Sequence, residues 1–246
     1  MAREQELLAA FIEFADTFVD EYDVVDFLHR LASRCIDLLD ASEAGIMLAD
    51  NDGALRYVAS SSERMRLIEL FELQHDQGPC VDAFRDGVAV HSSLIGDAQT
   101  RWPDFAPHAV AVGFVSVSAL PMRLRNQVIG ALNLFSTTDT PLANDDQEVA
   151  QALADIATIG ILQERALNDA RVIASQLEAA LQSRIVIEQA KGIVAERNRV
   201  AIDAAFTMLR TYARTHNRLL SQVAHDVIDG TLATDALVAP TTKPGA

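Results

Sequence analysis

From Asp145 to Arg197 the chain contains no proline and only two glycines, Gly160 and Gly192, in a stretch rich in Ala, Leu, Ile, Gln and Glu. All of these but Ile are strong helix formers, so a single long helix is expected. Asp145 and Asp146 stand at its start, where carboxylates interact favourably with the helix dipole. In its middle, Leu167, Ala170, Ala174, Leu177 and Leu181 alternate spacings of three and four, the pattern of a coiled-coil seam. Glu164, Arg171, Gln176, Glu178 and Gln182 keep the outer positions polar. Two chains are expected to pair along this seam; the alternative is packing against the preceding part of the same chain.

The region after this stretch shows three short apolar stripes at helical spacing. They are Ile187, Ala190 and Val194; Ala205, Met208 and Leu209; and Leu220, Val223, Ala224 and Val227. Three helices closing on one another would bury them in one small core. Arg184 and Lys191 lie two turns apart, Arg210 and Arg214 one turn apart, and Arg218, Gln222 and His225 follow the same rule beside these stripes. The chain carries a net charge of -15, yet residues 184–230 hold seven Lys or Arg against five acids. Phosphate is repelled by an acidic body and attracted to a basic end, so nucleic acid would engage the C-terminal part alone.

The residues in this part resemble the ANTAR domain, a small three-helix RNA-binding module. The resemblance rests on the run Arg184-Ile-Val-Ile-Glu-Gln-Ala-Lys-Gly-Ile-Val-Ala-Glu-Arg197, on Ala204-Ala-Phe206 with Met208-Leu-Arg210, and on Asn217 with Val223-Ala224. It implies recognition of paired short hairpins in nascent transcripts, which blocks formation of a terminator or changes access to a translation start. The RNA-binding residues expected are Arg184, Lys191, Arg210, Arg214 and Arg218, through phosphate or loop-base contacts. Ala213 stands where Ser is common in the family, which would remove one hydroxyl contact.

Before the long helix, Val24, Leu28, Leu31, Cys35, Leu38 and Leu39 form a helical stripe. Ala44–Ala49 then reads as a strand, turned by Asn51-Asp52-Gly53 into a second at Ala54–Ser60. Ser116–Leu124 and Val128–Phe135 are strand-like runs about a second hairpin turn, Arg125-Asn126-Gln127. An amphipathic helix over Glu6–Phe18, with Leu7, Leu8, Phe11, Phe14 and Phe18, precedes them. The segments Ala44-Gly-Ile-Met-Leu48, Gln77-Gly-Pro-Cys80, Ala83-Phe-Arg-Asp-Gly87, Trp102-Pro-Asp-Phe105, Gly113-Phe114, Ala119-Leu-Pro-Met122 and Ile129-Gly-Ala-Leu-Asn-Leu134 resemble a GAF domain. That resemblance implies a central antiparallel sheet flanked by helices, with a small-ligand or interaction pocket on one sheet face.

The two cysteines, Cys35 and Cys80, form no Cys-x-x-Cys pair. Cys80 is expected to be a small, partly buried residue at a turn rather than a redox sensor or metal ligand, since neither a depressed thiol pKa nor partner ligands are apparent. His75, His91 and His108 sit in separate segments without ligand-like spacing, so neither metal nor cofactor is expected. The chain has no Gly-x-Ser-x-Gly elbow, no His-Glu-x-x-His and no phosphate loop, and no enzymatic activity is expected. No apolar run approaches the ~20 residues needed to span a bilayer and no secretory leader is evident, so a cytoplasmic protein without a membrane partner is expected.

The expected fold is α+β. It comprises an N-terminal amphipathic helix (1–23), a GAF domain (24–163), a coiled-coil connector (164–183), a three-helix ANTAR bundle (184–230) and a flexible tail (231–246). The expected function is RNA-binding regulation by transcription antitermination or control of translation start, in a homodimer, with the GAF domain as signal input for a small molecule left open. A DNA-binding regulator, and a ligand- or redox-sensing interaction protein without nucleic-acid binding, are the alternatives.

Overall fold

The computed structural model describes residues 2–17, 22–139 and 142–237. The chain divides into two compact units, Met1–Arg165 and Ala166–Ala246.

In the first unit, helices α1 (Ala2–Thr17) and α2 (Val24–Leu38) precede the hairpin of β1 (Glu43–Ala49) and β2 (Leu55–Ser60). Then come α3 (Glu63–His75), α4 (Pro79–Asp86), the short strand β3 (Val90–Ser92), a 3-10 turn over Ile95–Thr100, and α5 (Phe105–Val112). Strands β4 (Ser116–Leu124) and β5 (Gln127–Ser136) complete the sheet, and α6 (Asn144–Asn198) follows. Phe18, expected to end the first helix, lies outside the described residues.

The five strands are antiparallel in the order β2-β1-β5-β4-β3. The fold is thus α+β, with the expected hairpins in place. The first turns on Asp50, whose Oδ1 accepts the N–H groups of Asp52 and Ala54, and on Gly53 at φ 80°. The second is tighter than expected: Leu124 pairs with Gln127, leaving a two-residue turn of Arg125, at φ 56°, and Asn126.

Alternation along the strands sends side chains to two cores. Ala44, Ile46 and Leu48 of β1, with Leu120, Met122, Leu132 and Leu134, pack against α1, α2 and the first turns of α6 through Phe14, Phe27, Leu31, Ala150, Leu153 and Ala157. On the other face Met47, Val117, Ala119, Ala131 and Phe135 meet α3, α4 and α5 through Met65, Ile68, Cys80, Phe105 and Ala109, with Trp102 beside them. Both faces are covered, which is why the strands read as continuous apolar runs. Side-chain caps fix two helix starts: Asp23 accepts the N–H groups of Val25 and Asp26, and Ser62 that of Met65.

The second unit contains the rest of α6, then α7 (Ile202–Thr215) and α8 (Leu220–Ile228). Ala190, Val194, Ala205, Met208, Leu209, Val223, Ala224 and Val227 are all buried in one core, so the three stripes close as expected. The chain does not fray immediately after Gly230. Asn198 Nδ2 donates to Thr234 O at 3.0 Å, the N–H of Leu232 bonds to Asp226 O at 2.9 Å, and Leu237 is buried against the bundle. An apolar side chain seven residues past Gly230 supplies the burial that the composition of the segment hides. Residues 238–246 lie outside the described residues.

Candidate nucleic-acid interface

The five basic positions expected to bind RNA sit on three different supports. Arg184 is exposed on α6, and on the helical wheel Lys191 falls on the same flank of the stripe made by Ala190 and Val194. Lys191 is held, however: its Nζ lies 2.9 Å from each carboxylate oxygen of Glu188 and 5.5 Å from the ring centre of Phe206. Arg210 and Arg214 are exposed on α7, on the side away from the buried Ala205, Met208, Leu209 and Ala213. Arg218 lies in the α7–α8 turn, where its N–H bonds to Ala213 O at 2.8 Å and its guanidinium lies 2.7 Å from Asp226.

These contacts divide the set. Among the described residues, no side-chain hydrogen bond or ion pair engages Arg184, Arg210 or Arg214, whereas Lys191 and Arg218 each share a carboxylate. A free guanidinium offers its fork of donors to phosphate without breaking an existing pair. Ala213 is buried in the bundle core, so a serine there would hide its hydroxyl rather than offer it to RNA. Two further arginines stand near this set. Arg197 and Arg199 are exposed around the α6–α7 turn, and Arg199 takes a left-handed φ of 52°. Their charge was legible; their place at a turn was not.

Residues 21–162 match the GAF domain family and residues 175–228 the ANTAR domain family. The chain belongs to the GAF family and carries an ANTAR domain. An ANTAR domain is an RNA-binding regulatory module and a GAF domain a signal-sensing one.

The GAF domain from a phosphoenolpyruvate-protein phosphotransferase of Coxiella burnetii is similar with a TM-score of 0.54 at 12% identity, over 67% of this chain and 98% of that one. The corresponding domain from the Acinetobacter enzyme gives 0.51 at 13%, over 65% and 94%. A domain of a putative two-component sensor histidine kinase from Sinorhizobium meliloti 1021 gives 0.51 at 17%, over 61% and 99%. At these identities the likeness is one of fold. Among curated proteins, none is significantly similar to the chain in sequence.

Within the GAF domain a groove of about 770 Å³ runs beside the edge strand β2, lined by Leu55, Leu70, Leu73, Val81 and Phe84, with Arg56 and Arg85 among its polar residues. Both arginines are paired, with Asp50 and Asp76 respectively. Cys80 differs from expectation, because it is fully buried and is the second residue of α4 rather than a turn residue. Burial, and then the charges of Glu72 and Glu69, push its thiol well above the usual range, the reverse of what a reactive thiolate needs. Among the described residues no group of three or more His, Cys, Asp or Glu is arranged to hold a metal ion. His75 and His108 both stack on Phe71, with ring centres 3.9 and 4.1 Å away, and His91 Nδ1 lies 2.9 Å from Ser118 Oγ. No helix among the described residues is long and apolar enough to cross a membrane.

Proposed function

We propose that this chain is an RNA-directed regulator of the cytoplasm. Its ANTAR domain binds short hairpins in transcripts, so that a terminator does not form or access to a translation start changes, and its GAF domain is the input. The observation that carries the reading is the pair Arg210 and Arg214: two exposed, unpartnered guanidinium groups one turn apart on the outer side of a closed three-helix core. Arg184 adds a third free cation, and Lys191 and Arg218 join on exchanging their carboxylate partners for phosphate. RNA loops present unstacked bases and closely spaced phosphates, which short basic helices engage by charge neutralisation together with side-chain contacts.

The reading includes a homodimer. Leu167, Leu177 and Leu181 of the seam are exposed along α6, as are Ile173 and Ile185. A row of large apolar side chains on a helix with polar neighbours is the surface that a second helix covers in a coiled coil. Two ANTAR domains joined in this way would hold two linked hairpins, and the second contact would gain from the high effective concentration set by the first.

The test is equilibrium competition on the full chain, with a labelled two-hairpin RNA displaced by unlabelled single hairpins or by duplex DNA of equal charge. Preference for the paired hairpins supports the proposal. Preference for duplex DNA would make the chain a DNA-binding regulator, and binding of neither would leave a sensing or interaction protein.

A further inference from the structure

Two carboxylates are sealed in the GAF core with no basic side chain paired to them among the described residues. Glu69 and Glu72, one turn apart on α3, are both fully buried against the sheet, as is Asn133 of β5. Asn133 Nδ2 lies 3.4 Å from Glu69 Oε1 and 3.4 Å from Glu72 Oε2, and the N–H of Cys80 on α4 lies 3.5 Å from Glu72 Oε1. Those donors do not satisfy the group. Glu69 Oε2 and Asn133 Oδ1 have no hydrogen-bond partner, and no lysine, arginine or histidine among the described residues pairs with either carboxylate.

The backbone makes room for the pair. A Cβ on Gly45 of β1 would stand 2.2 Å from Glu69 Oε1, and one on Gly78, which sits at φ 137°, 2.3 Å from Glu72 Oε1. The surrounding titratable and charged groups are few. On α3 and α4 they are Glu69, Glu72, Cys80 and Asp82; on β1 Glu43 shares the face of Gly45 but is engaged by Arg64 and Ser61, and on β2 Tyr57 shares a hydrogen bond with Ser60. Asp82 is engaged by Arg101 and Trp102, at 2.8 and 2.9 Å. His75 on α3 and His108 on α5 stack with Phe71.

Two unpaired negative charges in such a site would carry the full desolvation cost, which a protein avoids by keeping a proton instead. A proton also supplies the missing donor. The geometry points to a buried proton-binding site formed by Glu69, Glu72 and Asn133 that makes the release of α3 and α4 from the sheet depend on pH. Glu69 and Glu72 lie on α3, one donor on α4 and the amide on β5, so exposing the carboxylates requires α3 to leave the sheet. In water each returns to an ordinary glutamate pKa of about 4.3 and gives up its proton. Burial first, and then the charge of Glu72, holds Glu69 well above that range in the closed form; burial holds Glu72 there too. Opening therefore releases protons, and rising pH favours it. This device does not depend on what the ANTAR domain binds.

The experiment is infrared spectroscopy and hydrogen exchange on the full chain over a pH series. A protonated-carboxyl carbonyl band is expected in the folded protein at neutral pH, where solvent-exposed glutamates have none, and histidines do not contribute to it. Protection factors of α3 and α4 amides should fall about tenfold per pH unit for each proton released, from about pH 5 upward for as long as the closed form keeps its proton. The Glu69→Gln/Glu72→Gln variant, whose amides mimic the neutral carboxyls, should lose the band and flatten that slope. Absence of the band from folded wild type would overturn the proposal, and so would its persistence in the double variant. A wild-type slope of zero in α3 and α4 would equally overturn it, and that measurement stands even if the variant does not fold.

Discussion

Lys191 shares both carboxylate oxygens of Glu188, each 2.9 Å from its Nζ, one turn apart on α6. The ion pair sits beside the free Arg184 and sets Lys191 apart from it: one basic group on this flank is available and the other is occupied. Changing Glu188→Gln removes the competing carboxylate while keeping the side-chain volume. Hairpin affinity is expected to rise by about threefold to tenfold, within the range of a partly screened charge contact. Titration of Glu188→Gln and wild type with one labelled hairpin at fixed salt checks this, and a fall in affinity would remove Lys191 from the interface.

Reversal of Arg210 and Arg214 together to Glu should abolish hairpin binding with helical content unchanged, because both side chains are exposed and unpartnered. Replacing either by Gln instead should lower the slope of log affinity against log salt by roughly 0.7 to 0.9 if it contacts a phosphate. Circular dichroism and salt-dependent binding read the two effects separately.

Leu177 and Leu181 are 61% and 54% exposed on α6, four residues apart. Leu177→Asp/Leu181→Asp should drive the chain to monomer in sedimentation, since a carboxylate in a desolvated seam carries a large cost. An unchanged dimer would move the interface to another surface.

Gly45 meets Glu69 too closely for any side chain, with a Cβ falling 2.2 Å from Oε1. Gly45→Ala should therefore destabilise the GAF domain by about 1 to 3 kcal/mol, the usual cost of overpacking a dense core. Ala213→Ser, which buries a hydroxyl in the ANTAR core, should lower stability by about 1 to 3 kcal/mol with no gain in hairpin affinity. Urea unfolding of each variant gives the comparison.

Burial pushes the Cys35 thiol up to about 12 and lifts Cys80 well above its ordinary value. Thiolate is the reactive species, and a raised pKa keeps it scarce until pH approaches that value. Iodoacetamide at pH 8 should thus label neither cysteine in the folded chain and both after unfolding. Rapid labelling of folded protein would show that the thiols are accessible and ionised.

Much of the architecture was legible because its signals are local. The proline-free run fixed α6 to within a residue or two at either end, and the Asn-Asp-Gly turn announced the first hairpin. Helices α3, α4 and α5 were not legible, for a physical reason in each. Along α3 the charged Glu69 and Glu72 are buried while Leu67 and Leu70 are exposed, which inverts the pattern that hydrophobic periodicity relies on. Helices α4 and α5 are eight residues each and contain prolines, too short for a period to show.

At the basic surface the residue types were readable but their occupancy was not. The pairing of Arg218 with Asp226 joins a turn residue to α8 eight positions on, a spacing that helical periodicity does not announce. Ala213 was readable as core from its spacing of four after Leu209, but its place beside the basic residues drew attention to the surface instead.

Helix α6 contributes Ala150, Leu153 and Ala157 to one core and Ala190 and Val194 to another, while residues 166–185 belong to neither. Changes of length in that stretch would therefore leave both cores with their full complement of side chains. If its seam pairs with a second copy, the lengths that keep the apolar row in phase differ by sevens. Natural relatives would then be expected to gain or lose whole heptads here, so that the spacing between the two domains would be inherited in discrete steps.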